Sequence, residues 1–232
     1  WTVSGLRLPG FGPELADIIE YQNKNWLAAV LDACRTLRDQ GHAPLLMVGY
    51  SFGGALALQA AAQMPLDGLA LIAPLTWQEP AWGKVLGDFF RTLLPLAVHP
   101  FRHLPIHQPG LAEQYQHYLP EIDFNDPAQR DELTHFQFPL AVLDRLREVG
   151  KMGLQAAEKV TPPTFIIHSS EDPIIQPRSI DHLETSLAGP VTRKTVMGPH
   201  SLTMPQHPDF TAVVNETMDF AAQISKIKQQ ES

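Results

Sequence analysis

The sequence predicts an α/β fold: a mostly parallel sheet with helices on both faces. Three observations predict it. Short apolar runs of strand length alternate with longer stretches of helical periodicity at both ends of the chain. Gly49-Tyr50-Ser51-Phe52-Gly53 stands at one strand-to-helix junction. Two later strand-end turns carry an aspartate and a histidine. Strands separated by helices cannot be joined as hairpins, so they pair in parallel and need cover on both faces.

The apolar stretch Trp1 to Leu8 reads as a strand, followed by the turn Pro9-Gly10-Phe11-Gly12-Pro13. Trp26, Leu27, Val30, Leu31, Cys34 and Leu37 fall at helix spacing and predict a helix over about 26–40. Asn23 or Asn25 is a candidate cap and Gly41 a candidate stop. Leu45 to Val48 reads as a buried strand, Gly53 to Gln63 as an Ala-rich helix that can pack close to a sheet, and Gly68 to Ala73 as another strand.

From Pro74 to Pro163 prolines recur between short helical stretches, and no strand is evident. Leu86, Phe89, Phe90, Leu93 and Leu94 share one helical face, and 140–155 reads as an amphipathic helix. The expected organisation is a core over 1–73, an inserted helical cap over 74–161 and a second part of the core over 162–232. In that second part, Thr164 to His168 and Val191 to Met197 read as strands. Pro177 to Leu187 and about 208–224 read as helices, before a polar tail.

Composition narrows the function. Hydrophobic residues make up 44% of the 232 and charged residues 18%, as in a chain with a packed core. A net charge of -8, with both signs interspersed, argues against nucleic acid as a partner. No apolar run approaches the roughly 20 residues that span a bilayer. Cys34 is the only cysteine, so no intramolecular disulfide forms and a cytoplasmic location is the default expectation. No histidine or cysteine cluster has metal-ligand spacing, so neither metal nor cofactor is expected. The expected partner is a small molecule, and the expected state a monomer or homodimer.

The Gly-x-Ser-x-Gly pattern acquires meaning from its setting between a strand and a helix. A sharp turn there holds the serine in an unfavourable backbone conformation, so neighbours two positions away are expected to be small: Gly49 and Gly53. Ser51 then stands clear of the sheet, at the positive end of a helix. A serine nucleophile needs a base, and the base needs a partner to fix its tautomer. Asp172 follows the strand ending at His168, and His200 follows the next strand, in Gly198-Pro199-His200-Ser201. Their spacing leaves room for one helix and one strand, which brings neighbouring strand ends together. Glu171 is the rival acid. His168 reads as a buried structural group and His207 as a helix-entry residue. His99, His103, His107, His117 and His135 are spread through the insert.

With these residues in place, the chain resembles the α/β-hydrolase superfamily, and within it the bacterial carboxylesterases and monoacylglycerol lipases. The matching pieces are Leu8-Pro9-Gly10-Phe11-Gly12, Trp26, Gly49-Tyr50-Ser51-Phe52-Gly53-Gly54, Asp172-Pro173-Ile174-Ile175 and Gly198-Pro199-His200. The resemblance implies a three-layer α/β/α sandwich with strand order 1-2-4-3-5-6-7-8, in which Trp1 to Leu8 is strand four. Strands one to three, roughly 40 residues, are then expected upstream, and the chain is read as a fragment. It implies Ser51, Asp172 and His200 as the catalytic triad, with Gly49, Tyr50 and Gly53 shaping the nucleophile elbow. The Phe52 N–H is implied as one oxyanion donor, the second coming from the loop after strand three. The implied activity is ester hydrolysis on short or medium acyl chains or a monoacylglycerol-like ester. Acyl transfer, or hydrolysis of a thioester, amide or C–C bond, uses the same triad. A non-catalytic binding protein on this fold is the alternative of another class.

Overall fold

Alternate residues of the central strands point to opposite sides of the sheet, and each side builds its own core. Leu69, Leu71 and Ile166 pack on one face with Cys34, Leu58 and Ile180. Ala70, Ile72, Phe165 and Ile167 pack on the other with Val213, Phe220 and Ile224. This two-residue alternation, apolar on both faces, is what a parallel sheet between two helical layers requires. The computed structural model describes residues 1–11, 17–76, 97–98, 123–135 and 138–231.

The strands are β1 (Leu46–Tyr50), β2 (Gly68–Ile72), β3 (Ala97–Val98), β4 (Phe138–Pro139), β5 (Thr164–Ser169) and β6 (Val191–Val196). The helices are α1 (Asn23–Asp39), α2 (Phe52–Ala61), α3 (Pro127–His135), α4 (Leu140–Ala156), α5 (Pro177–Ser186) and α6 (Phe210–Glu231). The main sheet has four strands in the order β1-β2-β5-β6, all parallel. β3 and β4 form a separate antiparallel pair, which corrects the expectation of no strand between Pro74 and Pro163. With two residues per strand, neither leaves a periodic signal. The apolar face of Leu86 to Leu94 lies outside the described residues.

Each crossover is local in origin. α1 is closed by Gly41 N–H to the Arg38 carbonyl and His42 N–H to the Leu37 carbonyl, at 2.9 and 3.0 Å. Asn23 opens α1 but does not serve as a side-chain cap. It is buried, and its amide pairs both ways with Gln59 of α2, at 2.7 and 3.1 Å. α5 begins with Pro177 at its first position, where a missing N–H costs nothing. α6 runs on through Glu231, so the polar end read as a tail is helical. Lys226, Lys228, Gln229 and Gln230 are good helix formers, and polarity alone does not stop a helix.

Trp1 to Leu8 is not a strand. Its composition suits one, but a strand exists only through a partner at ladder distance. Between this stretch and β1 lie two clefts. One, of about 280 Å³, is lined by Ser4, Leu6, Leu8, Cys34 and Met47 among others. The second, of about 570 Å³, is lined by Trp1, Val3, Val48 and residues of α6. Among the described residues the outer edge of β1 has no strand beside it, and Val48 there is 51% exposed.

By contacts the chain divides into two compact units. One comprises Trp1–Leu8, Asn23–Gln78 and Leu146–Ser232 and holds the main sheet; the other comprises Pro9–Gln22 and Glu79–Arg145. No helix among the described residues is long and apolar enough to cross a membrane.

Candidate active site

β1 ends at Tyr50 and α2 begins at Phe52, leaving one residue to make the turn. That residue, Ser51, has φ 47° and ψ −114°. A side chain in this left-handed region costs about 1–3 kcal/mol and persists only where its surroundings over-determine it. They do so here. Ser51 N–H donates to the Ile72 carbonyl at 2.9 Å, and its own carbonyl accepts from Leu75 at 2.8 Å and Gly54 at 2.9 Å. The end of β2 therefore grips both sides of the strained peptide.

Close approach decides which glycines the turn needs. A Cβ on Gly49 would lie 2.7 Å from the Gly53 carbonyl oxygen and 2.7 Å from Gly54 Cα. A Cβ on Gly54 would meet Pro74 Cβ and Cα at 2.8 and 2.9 Å. A Cβ on Gly53 would meet no described atom within 4 Å. The expectation that Gly49 and Gly53 are the obligatory pair is thus corrected: the crowded positions are Gly49 and Gly54. The turn folds Pro74, after β2, onto the first turn of α2, and that contact could not be read from spacing.

Asp172 lies in the turn after β5, buried at 6% exposure. Its Oδ1 accepts from the N–H groups of Ile174 and Ile175 at 2.8 and 2.9 Å. These two hydrogen bonds fix the plane of the carboxyl group. Its second oxygen, Oδ2, lies 2.6 Å from His200 Nδ1. His200 Nε2 lies 2.9 Å from Ser51 Oγ. A donor Nδ1–H toward the carboxylate leaves Nε2 as the acceptor facing the serine hydroxyl, the tautomer a general base requires. The three residues come from the ends of β1, β5 and β6, at the carboxyl edge of the sheet.

Tyr50 also holds the histidine. Its ring stacks on the imidazole with centroids 5.3 Å apart and planes at 29°. Its hydroxyl donates to the His200 carbonyl at 3.1 Å. The sequence placed Tyr50 in the elbow but gave no sign of this contact. Phe52, the first residue of α2, packs edge-on against Trp26, with centroids 5.1 Å apart.

The remaining candidates fall elsewhere. Glu171 does not reach the histidine ring; its carboxylate accepts from Gly198 N–H at 3.0 Å. His168 is buried, with Nδ1 facing the Ser169 carbonyl and Nε2 accepting from Arg193 Nε at 2.8 Å. Burial, and then the Arg193 charge, hold its pKa below the usual histidine value, so it stays neutral. His207 is buried at the entry to α6, its Nδ1 accepting from Asp209 N–H. Burial raises the Cys34 thiol, which suits a packing residue rather than a reactive one. His135 is exposed beside Asp131 on α3. His99, His103, His107 and His117 lie outside the described residues.

A strained serine between a strand and a helix, facing a histidine and a buried carboxylate at neighbouring strand ends of a parallel sheet, is the arrangement of an α/β-hydrolase. The family model described as serine aminopeptidase, S33, matches residues 25–198, and the chain belongs to that family of hydrolases. Among solved structures, it is similar to a metagenome-derived lipolytic enzyme of the LipS and LipT pair, at 21% identity and TM-score 0.69 over 95% of this chain and 80% of that one. A hydrolase from Pseudomonas aeruginosa aligns at 16% identity and TM-score 0.53, over 85% and 72% of the two chains. A carboxylesterase of Nitrososphaera gargenis aligns at 21% identity and TM-score 0.50, over 89% and 74%. These likenesses concern the fold. No curated protein matches the sequence significantly.

Proposed function

We propose that the protein hydrolyses carboxylic esters through an acyl-enzyme on Ser51. The observation that carries the reading is the unbroken chain Asp172 Oδ2, His200 Nδ1, His200 Nε2, Ser51 Oγ, with separations of 2.6 and 2.9 Å. Ser51 Oγ attacks the ester carbonyl carbon while its proton passes to His200 Nε2. The oxyanion that forms is met by the Phe52 N–H at the positive end of α2. His200 then gives its proton to the leaving alcohol as the C–O bond breaks. Water, deprotonated by the same nitrogen, attacks the acyl-enzyme, and the proton returns to Ser51 as the acid departs. Asp172 orients His200 and stabilises its transient cation.

The substrate class, a short or medium acyl or monoacylglycerol-like ester, is supported by the residues shared with the carboxylesterase and lipase group. The lipolytic enzyme and the carboxylesterase among the structural relatives point the same way. The description of the matching family as a serine aminopeptidase favours a second reading, hydrolysis of an amide by the same steps. A panel of p-nitrophenyl esters of graded acyl length, run beside amino-acid p-nitroanilides, separates the two. The expected result is ester turnover, best on short or medium chains, that disappears in Ser51→Ala. Turnover of anilides alone would favour the second reading, and ester turnover retained in Ser51→Ala would remove both.

A further inference from the structure

The two loops that carry Asp172 and His200 are tied together by side chains that the reaction itself does not use. The β5–β6 ladder ends at the pair Ser169 and Val196. One further backbone bond, Ser170 N–H to the Val196 carbonyl at 3.0 Å, closes it. Beyond this point both strands leave the sheet. The Asp172 loop turns away, and Gly198 takes φ +96°, a conformation that ends strand pairing and that side-chain-bearing residues rarely adopt.

The peptide groups of Gly198 still need partners. Both are supplied by side chains of the facing loop. The Ser169 hydroxyl donates to the Gly198 carbonyl. The Glu171 carboxylate accepts from the Gly198 N–H at 3.0 Å. These two residues are braced against each other in turn, because Ser169 Oγ accepts from Glu171 N–H at 3.1 Å. Ser169 is wholly buried and Glu171 exposed, so one end of the clamp is fixed by packing and the other by a single hydrogen bond made in solvent.

We infer that Glu171 and Ser169 are positioning residues for His200. They set the register between the two loops by holding both the N–H and the carbonyl of Gly198, two residues before the histidine. The 2.6 Å contact between His200 Nδ1 and Asp172 Oδ2 spans those same two loops, so slip in their register moves the base off its acid. Neighbouring carboxylates therefore divide the work: Asp172 holds the ring, and Glu171 holds the backbone that carries it. What Glu171 contributes is an acceptor oxygen at Gly198, so an amide oxygen should serve nearly as well as a carboxylate.

The inference rests on the proposed triad, and the experiment separates the two. Glu171→Ala, Glu171→Gln, Ser169→Ala and Ser51→Ala are compared with the unaltered protein for kcat and KM on p-nitrophenyl butyrate, for the rate of fluorophosphonate labelling, and for Tm. Glu171→Ala is expected to lower kcat and labelling rate together, about tenfold, with KM unchanged, as slight misplacement of a catalytic group does. Glu171→Gln is expected to recover most of that loss, and Ser169→Ala to act in the same direction. Wild-type kcat in Glu171→Ala overturns the inference, as does a loss that appears in KM. A loss that the glutamine leaves uncorrected and that follows a fall in Tm also overturns it. Each of these results stands beside an inactive Ser51→Ala, whereas an active Ser51→Ala removes the triad itself.

Discussion

At Ser51 the chain accepts a strained backbone, and the contacts around it show what that strain requires. Gly49 is pressed between Gly53 and Gly54, whereas Gly53 itself faces open space among the described residues. The two glycines of the motif should therefore respond differently. Gly49→Ala is expected to cost about 1–3 kcal/mol through overpacking and to abolish labelling of Ser51. Gly53→Ala is expected to leave Tm unchanged or slightly raised, since alanine is the better helix former by roughly 0.5–1 kcal/mol. Thermal melts of the two proteins side by side check this. At the acid, Asp172→Asn keeps the acceptor for Ile174 and Ile175 but loses the charge facing His200. Its kcat is expected to fall by about a thousandfold or more, with folding retained, as measured on the same ester.

Helices α1 and α2 meet through a polar pair in an otherwise apolar contact. Gln59 is the single strongly polar side chain in the body of α2, and it bonds Asn23 twice and the Val149 carbonyl at 3.2 Å. Gln59→Leu strips Asn23 of both partners in a buried place. The expected cost is about 1–3 kcal/mol in urea titration, and adding Asn23→Leu should return part of it. This pair also marks the limit of what the sequence disclosed. The helix, its apolar face and its glycine stop were legible, because 3.6-residue periodicity and C-terminal capping are local. Asn23 read as a cap because position favours it there; its partner lies 36 residues away, and periodicity carries no such information. The same holds for Tyr50, whose bond to His200 crosses 150 residues. That Ser51, Asp172 and His200 would meet could be read from the sequence because each follows a strand, and the ends of parallel strands lie side by side. Gly54 was missed because the atoms that crowd it belong to Pro74, after a different strand. Trp1 to Leu8 has strand composition, but pairing is a property of two segments, and one segment shows only half of it.

Across the whole molecule, pH should act on stability through His168. Its folded pKa lies below the unfolded value because burial and the Arg193 charge disfavour the cation. The unfolded chain therefore binds a proton that the native protein refuses as pH falls through about 6.5. The stability linked to His168 is present above that pH and is lost progressively below it, down to the lowered folded pKa. Urea unfolding between pH 7.5 and 5.5 should show stability declining toward acid, and His168→Gln, which keeps an acceptor for Arg193, should flatten that slope. An equal slope in the variant would show that other groups carry the effect. The net charge of -8 sets a background common to both proteins and cancels in the comparison.

The central claim is that Ser51 is a nucleophile activated by His200 and Asp172. Fluorophosphonate reacts fast with a serine activated by a general base, and peptide mapping of the labelled protein locates the adduct. The account predicts a single adduct on the peptide carrying Gly49-Tyr50-Ser51, absent from Ser51→Ala and strongly slowed in His200→Ala. An adduct on any other residue, or undiminished labelling of Ser51→Ala, would contradict it.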